Sequence, residues 1–308
     1  MLPGPVMFEV SPPSKRSSAD AVGKAVAKIA DAVKRTRCID ALNVPEIIAE
    51  NRDGEPLYRN MDVLEFASLV YKATGKPVAV NKVVAFFSSA EEFDSWLGRA
   101  SAQGGICAAV LVGGSSDAVR YLGPPVIEAD RRATAFAGTG VGNISIPERQ
   151  GEAARVLAKT AAGCSFFTTQ VIMEPESTLA LLKEYSGKCG ETGIAPATFY
   201  LSLAPVGDAH DLEFLKWLGA KVPQEVESRL AGSSDMASES VEIALQTFNA
   251  ILDSAESRAP DVPLALNVEP ISMHNLEPAE RLLLRLEKRT RTAPKWIAAH
   301  GEAAVSSR

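Results

Sequence analysis

Glu9 is the first residue whose surroundings suggest chemistry. It stands in Phe8-Glu9-Val10-Ser11-Pro12-Pro13, a carboxylate inside an apolar run followed by a Pro-Pro pair that forces an extended exit. A buried carboxyl resists ionising, so its pKa rises and it can serve as a general acid near neutral pH. The competing reading is a structural ion pair with a neighbouring strand. Gln170, in Phe166-Phe167-Thr168-Thr169-Gln170-Val171, carries a donor and an acceptor on one amide. That suits the edge of a heterocycle, or equally a satisfied core position. Gly138, Gly140 and Gly142 alternate ahead of Asn143 and Ser145, with Pro147-Glu148 expected to open a helix. Bare backbone there would let a phosphate or a planar ligand come close, or would simply make a tight turn. The third glycine of a GxGxxG pattern is missing, since Asn143 occupies its place. Gly113-Gly114-Ser115-Ser116 is a second stretch that reads as an anion nest or as a plain loop.

Other chemistries find less support. His210, His274 and His300 are remote from one another, with no HxH or HExxH spacing, so no metal site is expected. No GxSxG elbow is present for a serine nucleophile. Cys38, Cys107, Cys164 and Cys189 form no CxxC pair and read as reduced thiols, which suggests a cytoplasmic protein. Lys plus Arg number 32 against 38 Asp plus Glu, a net charge of −6, which argues against nucleic acid as a partner. The opening MLPGPVMFEV lacks an export signature, and the apolar run Ile106 to Val112 is too short to span a bilayer, so no membrane partner is expected.

These residues need elements to position them. Strand-like runs are read at 5–10, 38–44, 77–84, 105–112, 133–140, 164–172, 196–203 and 262–268. They are apolar on both faces, as parallel strands covered on both sides should be. Helical periods are read at 61–73, 90–102, 147–162, 176–190, 211–219 and 238–258, with a less regular stretch near 124–131. The first helix shows an apolar stripe of Val22, Val26, Ile29 and Val33 after a start signal at Ser17 and Asp20. With 46% hydrophobic residues and no low-complexity linker, the pattern predicts an α/β fold: a single (β/α)8 TIM-type barrel over residues 1–308, with a short C-terminal helical tail from about residue 290 to 308. Chemistry in such barrels sits at the carboxyl ends of the strands. The polar or small residues there are Glu9, Asn43, Asn81, Gly113 with Gly114, Asn143, Gln170, Ser202, and Asn267 with Glu269.

Three segments together resemble the methylenetetrahydrofolate reductase family across nearly the whole barrel. Phe8-Glu9 with Pro12-Pro13 is similar to the family's FExxPP opening, AGCSFFTTQ ending in Thr169-Gln170 is similar to its sixth strand, and FLKWLGAKVP from Phe214 to Pro223 is similar to its helix after strand seven. The resemblance implies that Glu9 is the catalytic glutamate, that Gln170 contacts the folate and that Lys159 matches a lysine on flavin phosphate. The chain departs from flavin-dependent members at two places. Leu111-Val112-Gly113-Gly114 lacks their strand-four aspartate, and Gly142-Asn143-Ile144-Ser145-Ile146-Pro147-Glu148 lacks their flavin-holding tyrosine and histidine. The pattern therefore resembles the flavin-independent branch, which implies reduction of 5,10-methylenetetrahydrofolate to 5-methyltetrahydrofolate by hydride from NADH, with NADPH an alternative and FAD not expected. Glu9 would protonate N10. Strand-end position suggests Glu55 as the carboxylate for the pterin edge, with Asp117 and Glu269 behind it. Asn43, Asn81 and Asn143 would complete the pterin or nicotinamide contacts, with Gly140, Gly142, Ser145 and Lys159 on the cofactor, and Lys15 and Arg16 are offered for the glutamate tail or as plain solvated charges. The alternatives are an FAD-dependent reductase of the same family and a non-catalytic folate-binding or regulatory barrel; a homo-oligomer is compatible with either.

Overall fold

The computed structural model describes residues 4–50, 56–114, 119–136 and 139–290. The strands are β1 (Val6–Glu9), β2 (Ala41–Val44), β3 (Ile48–Glu50), β4 (Pro56–Tyr58), β5 (Val78–Val83), β6 (Ile106–Val112), β7 (Gly140–Ser145), β8 (Phe166–Thr169), β9 (Thr198–Leu203) and β10 (Leu264–Val268). Eight of them, in the order β1-β2-β5-β6-β7-β8-β9-β10, pair in parallel, and β10 pairs back to β1, so the expected closed barrel is what the chain forms. β3 and β4 make a small antiparallel hairpin outside it, which the pattern of apolar runs does not foresee.

The helices are α1 (Ala19–Arg35), α2 (Val63–Thr74), α3 (Ala90–Ala102), α4 (Val126–Thr134), α5 (Glu152–Ala161), α6 (Glu176–Thr192), α7 (Ala209–Trp217), α8 (Gln224–Gly232), α9 (Met236–Arg258) and α10 (Leu276–Thr290). Helix α1 buries Ile29 and Val33 from its predicted stripe, and its cap is Ser18, whose hydroxyl accepts the Ala21 N–H, rather than Ser17. Asp62 caps α2, and Gly75, at φ +68°, closes it in the left-handed conformation. None of the described helices is long and apolar enough to cross a membrane. The expected tail beyond Thr290 lies outside the described residues.

The structure corrects the fifth strand and the helix after it. The run 133–140 reads as a strand in the sequence, yet its start belongs to α4, which buries Ala129 and Ala133, and the strand is Gly140–Ser145. A short apolar run does not by itself distinguish a buried helix face from a buried strand. Gly140 and Gly142 thus lie within a strand rather than after one, and Gly138 falls outside the described residues. The helix expected from 147 begins only at Glu152, after a turn closed by Gly151 at φ +71°. Helix α8 is an addition that the sequence pattern does not announce.

Alternation divides each barrel strand into two faces. Phe8, Leu42, Val80, Phe167, Phe199 and Leu266 belong to the large core between strands and helices. Met7, Ala79 and Ala108 form the barrel's own filling with Ala41, Phe166 and Tyr200. That inner plug sets the floor on which the next inward residues stand.

Candidate active site

Beyond the plug most inward positions turn polar: Glu9 on β1, Asn43 on β2, Asn81 on β5, Thr168 on β8 and Ser202 on β9 each follow a plug residue by two, and Asn267 on β10 stands in register with Met7. This is the carboxyl end of the barrel, where TIM-barrel sites form. Glu9 and Asn43 stand in register, and the Asn43 Nδ2 donates to Glu9 Oε2 at 2.9 Å. Phe8 pairs with Val268, so the next residues along, Glu9 and Glu269, lie side by side across the seam where the first and last barrel strands meet. Asn267 Nδ2 donates to Glu269 Oε1 at 2.8 Å and to Ser202 Oγ at 3.1 Å. Each carboxyl of the pair is therefore held by one asparagine amide.

Their electrostatics follow from this placement. Burial pushes Glu9 well above the ordinary carboxylate range, the neighbouring Glu269 pushes it further, and the Asn43 amide pulls the other way. Burial raises Glu269 to about 7, against the hydrogen bonds of Ser202 and Asn267. Two adjacent carboxyls that both resist ionising hold a proton near neutral pH, which makes the site a source of general acid. Around them, Asn43 Oδ1, Asn81 Oδ1, Thr168 Oγ1 and Asn267 Oδ1 are buried acceptors with no partner among the described residues. Buried acceptors are costly when unpaired, so this ring suits a ligand rich in N–H donors.

The remaining expected site residues distribute differently. Gln170 spends its amide on the scaffold: Nε2 donates to the Leu218 carbonyl at 3.0 Å and Oε1 accepts the Val171 N–H at 2.9 Å. It thereby fastens the end of β8 to the end of α7, joining two of the segments singled out in the sequence, and keeps one N–H and one lone pair. Thr169 Oγ1 accepts the Ser202 N–H at 2.9 Å and so bolts β8 to β9 beneath the mouth.

The group expected on a cofactor is split by the barrel wall. Gly140 and Gly142 face the interior, where a Cβ on Gly142 would lie 2.3 Å from the Phe166 ring; this glycine makes room for that ring. Asn143 and Ser145 take the alternate, outward positions. Asn143 Nδ2 donates to Asp130 Oδ1 on α4 at 2.7 Å, and Lys159 Nζ donates to the Ile144 carbonyl at 3.0 Å. Burial lowers the Lys159 pKa and raises Asp130 to about 6. These residues form a polar cluster under α4 and α5, away from Glu9, because neighbouring strand positions face opposite sides. Glu55 and Asp117 fall outside the described residues, and Lys15 and Arg16 are exposed at the exit of β1.

Sequence reasoning missed the pairing of Glu9 with Glu269 and a half-buried ion pair between β5 and the loop after β2. Lys82 Nζ meets Glu46 Oε1 at 2.6 Å, with side chains 12% and 11% exposed, beneath the Phe87 ring. The carboxyl pairing carried a signal: Asn267 and Glu269 are two apart and so share a strand face. The ion pair had none, since Glu46 lies in a loop.

No protein-family model matches the chain, and no curated protein matches it. Among solved structures, the chain is similar to an uncharacterised protein from Clostridium thermocellum that binds two copies of 5-methyl-5,6,7,8-tetrahydrofolic acid, at 20% identity over 92% of this chain and 96% of that one, with a TM-score of 0.77. It also matches a Xanthomonas albilineans dihydropteroate synthase, solved with indole-2-carboxylic acid and 6-chloroguanine, at 16% identity over 94% of each chain, with a TM-score of 0.47. At 20% identity the likeness to the clostridial protein is one of fold, and the chain shares its barrel.

Proposed function

We propose that the barrel is a flavin-independent methylenetetrahydrofolate reductase with Glu9 as its proton donor. The observation that carries this reading is the carboxyl of Glu9 itself: buried at the strand end, bonded to Asn43, held toward its protonated form, and standing in the FExxPP context of the family it resembles. The clostridial barrel lends support, since the ligand it binds is the product this reaction would form.

The reaction makes specific demands. Glu9 delivers its proton to N10 of 5,10-methylenetetrahydrofolate as the bond from N10 to the methylene carbon breaks, leaving a cationic iminium at N5. The nicotinamide, when bound, supplies the hydride that turns this methylene into the methyl group. Substrate, NADH and one proton thus give 5-methyltetrahydrofolate and the oxidised nucleotide. The unpartnered acceptors of Asn43, Asn81 and Asn267 would take N–H groups of the pterin or the carboxamide of the nicotinamide, and Gln170 would add its remaining N–H and lone pair. Glu55 stays the proposed partner of the pterin's guanidine-like edge. The barrel orients the two planar reactants and excludes water between them. Lys159, which the resemblance gives to flavin phosphate, donates to the Ile144 carbonyl under α5, on the helix side of the barrel wall, and is given no part in this reading.

The test is NADH consumption with 5,10-methylenetetrahydrofolate by protein shown by absorbance to be flavin-free. Matching 5-methyltetrahydrofolate formation supports the reading, and Glu9→Gln should then lose about 10²–10⁴-fold in kcat while still binding folate. Activity that appears only on adding FAD would overturn the flavin-free assignment. A second reading, a folate-binding barrel without turnover, is favoured by the clostridial protein's ligand. It predicts tight 5-methyltetrahydrofolate binding with no NADH oxidation, and affinity indifferent to Glu9→Gln.

A further inference from the structure

We propose that Glu9 and Glu269 act as one proton-sharing dyad across the closing seam of the barrel, with Glu269 a positioning residue that works through Glu9. The inference rests on the reductase reading for its role in turnover, though not for the existence of the pair.

The geometry is near-symmetric. The two residues occupy adjacent places on neighbouring parallel strands, as the Phe8–Val268 register requires. Asn43 fixes an oxygen of Glu9 at 2.9 Å, and Asn267 fixes an oxygen of Glu269 at 2.8 Å. The Glu269 N–H also donates to the Leu203 carbonyl at 2.9 Å, so its backbone continues the β9–β10 ladder and cannot swing away. The inward groups facing the pair are Asn43 from β2, Asn81 from β5, Thr168 from β8 and Ser202 with Asn267 from β9 and β10, none of which titrates in the working range. One layer below stand Tyr200, raised to about 12, and Cys107, raised by burial, both of which keep their protons. Among the described residues, Glu269 is thus the charged group that acts on Glu9.

Such a pair holds one proton and one negative charge near neutrality, since two buried carboxylates side by side repel. Transfer of that proton to N10 leaves two carboxylates beside a newly formed iminium cation. The step conserves net charge but creates a new ion pair: the dyad gains one negative charge and the substrate one positive charge, and the two lie beside each other in the site. Hydride transfer then neutralises the iminium, and the doubly ionised dyad regains a proton from solvent. Glu269 accordingly does two things: it keeps Glu9 protonated before the step and it provides a counter-ion after it.

The experiment compares wild type, Glu269→Gln, Glu269→Asp and Glu9→Gln. Infrared titration of the ligand-free proteins should show a carboxyl that stays protonated near neutral pH in wild type, and in Glu269→Gln that signal should be lost at distinctly lower pH. Glu9→Gln should leave only the Glu269 carboxyl, lost at lower pH than the last carboxyl of wild type, which still reports on the pair if Glu269→Gln does not fold. In turnover, Glu269→Gln should move the alkaline limb of the kcat profile toward acid, with about tenfold or more additional loss at pH 8 relative to pH 6. Glu269→Asp, which restores the charge, should return the limb toward its wild-type position. Superimposable titrations in wild type and Glu269→Gln would overturn the dyad. Shifted titrations in a protein that never oxidises NADH would uphold the dyad and overturn the reductase reading.

Discussion

Gly142→Ala separates two roles for one glycine. If the residue is small to admit a ligand, the substitution should block binding and leave the ligand-free fold intact. The structure gives a different expectation. An added Cβ would stand 2.3 Å, 2.4 Å and 2.8 Å from three atoms of the Phe166 ring, all well inside contact distance. That ring has nowhere easy to go, for it packs edge-on against Tyr200 at 5.5 Å within the barrel's plug. Overpacking of this kind costs about 1–3 kcal/mol. At about 2–4 °C per kcal/mol, with a chain this long toward the lower end, the ligand-free protein should melt several degrees earlier. Phe166→Leu removes ring atoms from the contact, so the double variant should be more stable than the two single losses added together predict, and a double-mutant cycle by calorimetry measures that coupling. A Gly142→Ala protein with wild-type Tm and lost ligand affinity would refute the packing argument and restore the ligand-approach reading.

Asp130 should make stability depend on pH. Its carboxyl lies fully buried and is raised from 3.8 to about 6, so the folded state binds the proton more tightly than the unfolded chain, and stability falls as pH climbs through that window. Asp130→Asn removes the slope and should be more stable above pH 6 by at most about 3 kcal/mol, since each tenfold change in proton affinity is worth about 1.4 kcal/mol; a difference from wild type in urea unfolding that is flat from pH 4 to pH 7.5 would sink this. Gln170→Ala should cost the ligand-free protein about 1–2 kcal/mol, because it strips the Leu218 carbonyl of its donor at the end of α7. An unchanged melt with weakened folate binding would instead assign Gln170 to the ligand alone.

Much of the architecture was legible in the chain. Strand-length apolar runs with no alternation, spaced by helical periods, specify parallel strands covered on both faces, and a closed barrel satisfies eight of them. The α4 region failed for a definite reason. Ala129 and Ala133 are small and apolar, and a short run of such residues suits either element until its neighbours show which side is buried. The hairpin β3–β4 follows the loop that holds Glu46, and no local period marked it. For the site, Glu9 was legible because a carboxylate within an apolar strand demands an explanation, whereas Lys159 and Asn143 looked like ligand residues only while the face they occupy was unknown.

By itself, then, the sequence determined seven of the eight barrel strands, their parallel layering, the polar ends that mark one rim of the barrel, and Glu9 as the carboxyl to watch. Those properties are local: they depend on composition and on a period of two or of 3.6 residues. Only the tertiary structure decided which polar ends meet. Glu9 and Glu269 are 260 positions apart and become neighbours solely because the last strand closes on the first. Asn143 and Lys159 were parted from them by the same wall, since one step along a strand carries a side chain from the mouth to the helix layer. Adjacency across a closed sheet is set by register and closure, and neither is written in any single segment of the chain.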